Sequence, residues 1–258
     1  MRWMVLLIAI SAGLGTFAGE PDLAREQRMA EQIVDAIFDG EPMELESGAH
    51  RFLAILTEAE SAKGTVVILH GRGFHPDWET VVQPLRIGLT KHGWNTLSIQ
   101  LPVLHKAAKY YDYVDVFPHA VPRIEAALDF ARQQTPEGKV VVLAHSCGTH
   151  MAHHWIMHRE SNPSTTFDAY VGIGMGATDY GQKMVEPFPL AKIAVPVFDV
   201  FGEKDYPAVL RLAEQRLQLI GLAGNTKSAQ QGIPGATHYF QGHEDQLTEV
   251  VGQWLDTL

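Results

Sequence analysis

The 258-residue chain contains a single cysteine, Cys147, so it cannot form an internal disulfide. It has no run of lysine or arginine, and its formal net charge is −10 at pH 7. This charge balance argues against nucleic acid and against an anionic membrane surface as partners. The sequence also lacks internal repeats, low-complexity segments and Pro/Ser-rich linkers. We therefore expect one globular domain over residues 19–258.

The apolar run at the N-terminus is shorter than a membrane span. Arg2 precedes apolar residues 3–14, whereas a spanning helix needs about 20. Thr16 and Ala18 occupy the −3 and −1 positions of a cleavage site after residue 18. These features predict a secretory signal peptide over residues 1–18, with a membrane anchor as the alternative. We expect a periplasmic or secreted protein, and the lack of a cysteine near the junction argues against a lipid anchor.

Apolar, β-branched runs alternate with segments of helical periodicity along the chain. The runs predict strands at residues 51–57, 64–70, 94–100, 140–144, 167–174, 195–201 and 228–233. Helices are predicted at residues 21–39, 79–92, 122–133, 149–157, 207–219 and 245–258. This alternation predicts an α/β fold with a mostly parallel, doubly wound sheet and helices on both faces. The segment 178–192 is short, so any lid should be small.

The segment 144–148, Ala-His-Ser-Cys-Gly, is typical of a nucleophile elbow between a strand and a helix. The turn is so sharp that the flanking positions must be small. Ala144 departs from the usual glycine but is still small, and Gly148 meets the requirement. The pattern predicts Ser146 as the nucleophile. Cys147 is the competing nucleophile, but its position after the serine favours a plain role as a small residue.

A serine hydroxyl needs a base, and the base needs an orienting carboxylate. These partners are expected in the order Ser, Asp/Glu, His, each after a later strand. Asp205, in the turn after the strand at 195–201, is the predicted acid, with Glu203 as its competitor. His238 follows the last predicted strand and is the predicted general base. His243 is the alternative, although it lies beyond the turn.

Attack on a carbonyl places negative charge on oxygen, which backbone N–H donors must stabilise. One predicted donor is the N–H of Cys147. The other is the N–H of Arg72 in the loop 70–73, His-Gly-Arg-Gly, whose glycines let the backbone approach a ligand. We expect the Arg72 side chain to be solvated, with contact to an anionic substrate group as the alternative.

These motifs resemble the serine α/β-hydrolase superfamily over nearly all of residues 19–258. The resemblance rests on four segments, at residues 70–73, 144–148, 202–205 and 235–240. It implies the α/β-hydrolase fold and a triad of Ser146, Asp205 and His238. Residues 97–102 and 171–176 also look like a small, uncharacterised family of exported bacterial proteins, which implies no substrate.

Two other clusters have less specific patterns. His150, His154 and His158 share a helix face, but no HExxH motif and no carboxylate at matching spacing accompany them. We expect helix-packing or exposed histidines there, and neither a metal nor a cofactor. The segment 110–113, Tyr-Tyr-Asp-Tyr, could line an aromatic substrate pocket or cover the edge of the core, and the sequence favours neither.

The residues together predict a serine hydrolase for a small-molecule acyl substrate. It would cleave a carboxylic ester or thioester through an acyl-serine intermediate. An acyltransferase on the same triad is one alternative, and only product analysis with candidate acceptors separates the two. A non-catalytic envelope module that retains the fold is the other alternative, and the intact set of Ser146, Asp205 and His238 argues against it.

Overall fold

The structure is a computed structural model and describes residues 19–48, 50–158 and 167–258. The predicted signal peptide, residues 1–18, lies outside the described residues and stays a prediction. Within the described ranges, every helix is too short or too polar to cross a membrane.

One sheet forms the centre of the described chain. Its strands are β1 Glu41–Ser47, β2 His50–Thr57, β3 Gly64–Leu69, β4 Asn95–Ile99, β5 Lys139–His145, β6 Ala169–Ile173, β7 Val197–Lys204 and β8 Ala229–Thr237. They lie in the order β1-β2-β4-β3-β5-β6-β7-β8. β2 is antiparallel to both β1 and β4, and the other neighbouring pairs are parallel. The predicted mostly parallel sheet is confirmed.

Helices cover both faces of this sheet. They are α1 Leu23–Ile33, α2 Val82–Gly88, α3 Tyr110–Val114, α4 Phe117–Gln134, α5 Cys147–His158, α6 Pro207–Arg211, α7 Ala213–Ala223 and α8 Glu244–Leu255. The buried side chains of α4, α5 and α7 join one apolar cluster, and those of α2 and α8 join another. The predicted doubly wound architecture is therefore confirmed.

The central strand β5 shows why the apolar runs predicted this sheet. Val140 and Val142 point into one apolar cluster, and Val141 and Leu143 point into the other. All four side chains are fully buried. Burying each contributes roughly 1.5–3 kcal/mol before the cost of ordering the chain. A strand covered on both faces needs an unbroken apolar run, which is what the sequence contains.

The edge strand β1 was not predicted from the sequence. Its residues alternate between exposed and half-buried, and glutamates at 41, 44 and 46 weaken the apolar signal. The hydrogen bonds to β2 stabilise β1. The local sequence of β1 does not show that this partner is present, so the strand could not be predicted from it. The short helix α3 also lies in a stretch for which no helix was predicted.

The bounds of all six predicted helices differ from those in the structure, and in two cases a helix starts more than a turn earlier or is divided. The helix predicted at 122–133 begins at Phe117, so Pro122 lies inside α4 rather than at its start. Burial of Phe117 and Ala120 against the core favours this longer helix. The helix predicted at 207–219 is divided into α6 and α7 at Leu212, which caps the end of the first and the start of the second.

Candidate active site

Ser146 lies in the sharp turn between β5 and α5. Its φ angle of 53° is left-handed, a conformation that costs a non-glycine residue about 1–3 kcal/mol. The Ser146 N–H donates to the carbonyl of Ile173 on the neighbouring strand at 2.9 Å. The Thr149 hydroxyl donates to the Ser146 carbonyl at 2.6 Å. These bonds hold the strained turn with the serine side chain at the edge of the sheet.

The small residues around the serine are required by close packing. A Cβ atom on Gly148 would lie 2.6 Å from the carbonyl oxygens of both Leu69 and His70, so only glycine lets α5 cross β3 there. Ala144 is fully buried opposite Gly172 of β6. A Cβ atom on Gly172 would collide with Met175 Sδ, so the missing side chain makes room for Met175 beside this turn.

His238 connects the serine to a buried carboxylate. Its Nε2 lies 2.8 Å from Ser146 Oγ, and its Nδ1 lies 2.6 Å from Asp205 Oδ1. The side chains of His238 and Asp205 are 2% and 0% exposed. With the proton on Nδ1, the imidazole donates to the carboxylate and accepts from the serine hydroxyl. The three predicted side chains are therefore adjacent and hydrogen-bonded.

The competing residues lie elsewhere. Glu203 is on β7 with an exposed side chain. His243 precedes α8, and its Nδ1 lies 3.2 Å from the carbonyl of Gln241. The structure therefore brings Asp205, and not Glu203, to the imidazole of His238. Asp205 reaches it because a turn directly after β7, closed by its own N–H to Gly202, directs the side chain inward.

The Cys147 thiol is 5% exposed, and burial raises its pKa to about 12. It is thus a neutral thiol at neutral pH and a poor nucleophile. This agrees with the interpretation of Cys147 as a small residue of the elbow.

A buried histidine fixes the peptide that contains the Arg72 N–H. His70 Nδ1 donates to the Gly71 carbonyl at 2.7 Å, and its Nε2 accepts from the Leu101 N–H at 2.9 Å. Burial lowers the pKa of His70 to about 3, so the ring stays neutral. In a trans peptide the Gly71 carbonyl and the Arg72 N–H point in opposite directions, so the hydrogen bond from His70 also orients the N–H.

The two predicted N–H donors are free to bind a ligand. Among the described residues, neither the Arg72 N–H nor the Cys147 N–H has a hydrogen-bond partner. Both residues line the same cavity as Ser146. Sequence reasoning identified this pair but not the role of His70 in orienting one of them.

The Arg72 side chain is not the solvated group that the sequence predicted. It is 33% exposed and forms an ion pair with Asp179, in which Nη2 donates to Oδ1 at 3.2 Å. Asp179 also accepts the N–H of Tyr110 at 2.7 Å. Burial opposes ionisation of Asp179, but the hydrogen bonds from Arg72 and Tyr110 outweigh it and hold its pKa below the ordinary value. The pair ties the Arg72 loop to the segment after β6.

The cavity above Ser146 has a volume of about 740 Å³. Aromatic rings form much of its wall, at Phe74, Tyr110, Tyr206 and Tyr239. Residues 177–183, after β6, form another part, and this short segment, the lid, agrees with the prediction that any lid should be small. Tyr110 thus lines the cavity, whereas Tyr113 is buried in the core and its hydroxyl accepts the Leu104 N–H at 2.9 Å. The tyrosine segment therefore contributes one residue to the cavity and one to the core.

Sequence reasoning missed several residues beside the imidazole, among them His145 and Gly174. His145 is fully buried, and its Nε2 donates to the His238 carbonyl at 3.0 Å. Burial lowers the His145 pKa to about 3. Gly174 has a φ of +62°, and a Cβ there would lie 2.9 Å from His238 Cε1. Their only sequence signal is position, since each adjoins the end of a strand.

The sequence matches a known family over part of its length. Residues 15–113 match a family described as a protein of unknown function (DUF3530). That range contains Arg72 but none of Ser146, Asp205 and His238. No curated protein matches the sequence.

Solved structures match over most of the chain. Dienelactone hydrolase from Anabaena variabilis is 19% identical, with a TM-score of 0.64 over 84% of this chain and 96% of that protein. An α/β serine hydrolase homologue from Coxiella burnetii is 16% identical, with a TM-score of 0.61 over 84% and 98%. A serine hydrolase without a lid from Xanthomonas campestris is 12% identical, with a TM-score of 0.61 over 86% and 95%. At these identities the likeness concerns the fold alone: the chain has the α/β-hydrolase fold.

Proposed function

We propose that the protein is a serine hydrolase that cleaves a carboxylic ester or thioester through an acyl-serine intermediate. The observation that supports this most is the continuous contact from Ser146 Oγ to His238 Nε2 at 2.8 Å and from His238 Nδ1 to Asp205 at 2.6 Å. Ser146 lines a cavity large enough for a small acyl substrate, and His238 and Asp205 are buried behind it.

In the first step, His238 Nε2 removes the proton from Ser146 as Oγ attacks the substrate carbonyl carbon. Asp205 keeps the proton of the neutral ring on Nδ1 and stabilises the imidazolium that forms. The leaving alcohol or thiol then departs with the proton that His238 returns. This leaves the acyl group bonded to Ser146 Oγ.

In the second step, water replaces the leaving group. His238 removes a proton from water, hydroxide adds to the acyl carbonyl, and Ser146 leaves with the proton from the imidazolium. In both steps the carbonyl oxygen becomes negative. We propose that the free N–H groups of Arg72 and Cys147 bind it, since two donors in a partly closed cavity stabilise such charge strongly.

A second groove suggests that the substrate carries negative charge. The groove has a volume of about 820 Å³ and shares Arg72, Phe74 and Tyr239 with the cavity above Ser146. Its other cationic residues are Arg25, Arg28, Lys106 and Lys109. Asp22 is the one carboxylate among its lining residues. On a chain with a net charge of −10, this local excess of positive charge favours an ester with an anionic group.

Two of these cations are available to a ligand. Arg28 and Lys106 are exposed, and neither has an ion-pair partner among the described residues. Arg25, in contrast, is engaged by the carbonyls of Leu104 and Gly73. We therefore propose that Arg28 and Lys106 attract the anionic end of the substrate.

Labelling with a fluorophosphonate probe tests the nucleophile. The unmodified protein should be labelled, and Ser146→Ala should not. Cys147→Ser is the matched control and should be labelled like the parent. Labelling that persists in Ser146→Ala would overturn the assignment.

A panel of p-nitrophenyl esters of increasing acyl length then tests turnover. Product analysis with added alcohols separates hydrolysis from acyl transfer, because a transferase would yield a new ester in place of the free acid.

We also propose export to the periplasm or medium, on the basis of residues 1–18. Mass spectrometry of the exported protein should find an N-terminus near Gly19.

A further inference from the structure

The last two turns of α5 carry histidines that point toward the loop between β6 and β7. His154 and His158 are four residues apart and therefore share a face of the helix. The sequence shows no carboxylate near them, but the fold places Glu186 of that loop beside both. One ligand atom from each of the three residues lies within 4.8 Å of the others.

The three side chains lie close enough to form a ligand set after small side-chain rotations. His158 Nδ1 donates to the His154 carbonyl at 3.0 Å, which leaves its Nε2 lone pair free. Metal-binding histidines commonly donate their second ring N–H to such a carbonyl. His154 Nδ1 lies 2.7 Å from Glu186 Oε1, and the two imidazole centroids are 4.1 Å apart. Glu186 Oε2 is buried and has no hydrogen-bond partner among the described residues.

We propose that His154, His158 and Glu186 bind a divalent transition-metal ion, with zinc as the best fit. Two imidazoles and one carboxylate are a donor set that zinc accepts, with water as the fourth ligand. Tetrahedral bonds of about 2.0–2.2 Å place ligand atoms roughly 3.4 Å apart. The 2.7 Å contact between His154 and Glu186 must therefore lengthen, and the longer separations must shorten by side-chain rotation.

Such an ion would fasten the small lid to the helix that begins beside the nucleophile. Residues 181–183, just before Glu186, line the cavity above Ser146. The N–H of Val185 donates to the Tyr110 hydroxyl at 2.9 Å, so the segment is already held on one side. On the other side, the contact between Glu186 and His154 is the hydrogen bond that the ion would replace. The role we infer is to stabilise this wall, independently of the reaction at Ser146.

Zinc binding to the chelator-treated full chain tests the proposal. Isothermal titration with zinc chloride at pH 7.5 should show one site per chain, and zinc should raise the melting temperature of the protein. This measurement needs no substrate, so it is independent of the proposed hydrolase activity.

Two variants and one control make the test specific. Glu186→Gln keeps the size of the side chain but removes its charge, and His158→Ala removes one imidazole. At other metal sites, removing a residue that only hydrogen-bonds a ligand weakens metal binding by roughly 10–100-fold. Each variant here removes a direct ligand, so zinc binding should weaken by at least that factor. His50→Ala removes an exposed histidine in β2 and should leave binding unchanged. Equal affinity in all four proteins, or no binding to the unmodified chain at micromolar zinc, would overturn the proposal.

Discussion

The ring of Tyr206 is stacked on the imidazole of His238, with the centroids 4.2 Å apart and the planes inclined by 23°. The backbone N–H of Tyr206 also donates to Asp205 Oδ1 at 2.6 Å. One residue therefore contacts both the ring and the carboxylate to which the ring is bonded. The Tyr206 hydroxyl donates to the Tyr239 hydroxyl at 3.0 Å, which fixes the stacked ring in place.

Tyr206 should therefore act as a positioning residue. Tyr206→Leu removes the stack, and since an aromatic pair is worth about 0.5–1.5 kcal/mol, kcat/KM should fall roughly 2- to 13-fold. Steady-state kinetics on the best p-nitrophenyl ester measure this loss, which should appear in kcat because the stack orients the imidazole of His238.

Tyr206→Phe is the matched control, because it keeps the stack and loses only the hydroxyl contact. Its kcat should be close to that of the parent. A loss of equal size in both variants would mean that the hydroxyl, rather than the stack, is responsible.

A second prediction concerns the two carboxylates at the end of β7. Asp205→Asn should lower kcat by about 10⁴-fold, as expected where the aspartate that holds the histidine tautomer is replaced. Glu203→Gln should change the rate far less, because its exposed charge is screened by solvent. Measuring kcat/KM of both variants on the best p-nitrophenyl ester decides between them. If Glu203→Gln were nearly inactive and Asp205→Asn nearly normal, Glu203 rather than Asp205 would be the acid that orients His238.

Sequence patterns predicted the elements whose signals are local. An unbroken apolar run identified β5, and the small residues around Ser146 identified the turn after it. Asp205 and His238 were predicted because each follows a strand, and parallel strands place their carboxyl ends at the same edge of a sheet. The structure confirms the fold and brings these side chains together, while their catalytic roles stay predictions.

Contacts between distant segments could not be predicted in this way. Tyr206 and His145 contact His238 only because β5, β7 and β8 end at the same edge of the sheet. Glu186 joins the histidines of α5 through a loop for which no regular structure was predicted. In the same way, we expected the Arg72 side chain to be solvated, but it forms an ion pair with Asp179. The position of Asp179 depends on the lid, which the sequence does not show.

A third prediction tests the cationic groove. The unmodified protein should prefer p-nitrophenyl succinate, which bears a carboxylate, to the neutral p-nitrophenyl pentanoate of similar length. Arg28→Glu combined with Lys106→Glu should raise KM for the anionic ester by about tenfold. Two opposite charges 4 Å apart near a protein surface attract each other with a free energy on the order of 1–4 kcal/mol, and dissolved salt weakens this attraction.

The control for that experiment carries the same change in net charge elsewhere. Lys91 and Lys192 are exposed and lie outside the lining of the groove. Lys91→Glu combined with Lys192→Glu should leave KM for both esters unchanged. If the control and the groove variant behave alike, overall charge rather than the groove attracts the substrate.

The last prediction concerns stability in mild acid. Burial lowers the pKa of His145 to about 3 in the folded protein, whereas an unfolded histidine titrates near 6.5. Between these values the unfolded chain binds a proton that the folded chain does not, so the free energy of unfolding falls as the pH drops below about 6.5. At pH 5 this one group should lower the free energy of unfolding by roughly 2 kcal/mol.

The variant His145→Gln tests this prediction, because glutamine can still donate to the His238 carbonyl but does not titrate. Urea unfolding at pH 7.5 and pH 5 should therefore show a smaller loss of stability for His145→Gln than for the parent. Equal losses would mean that His145 is protonated in the folded state or reached by solvent.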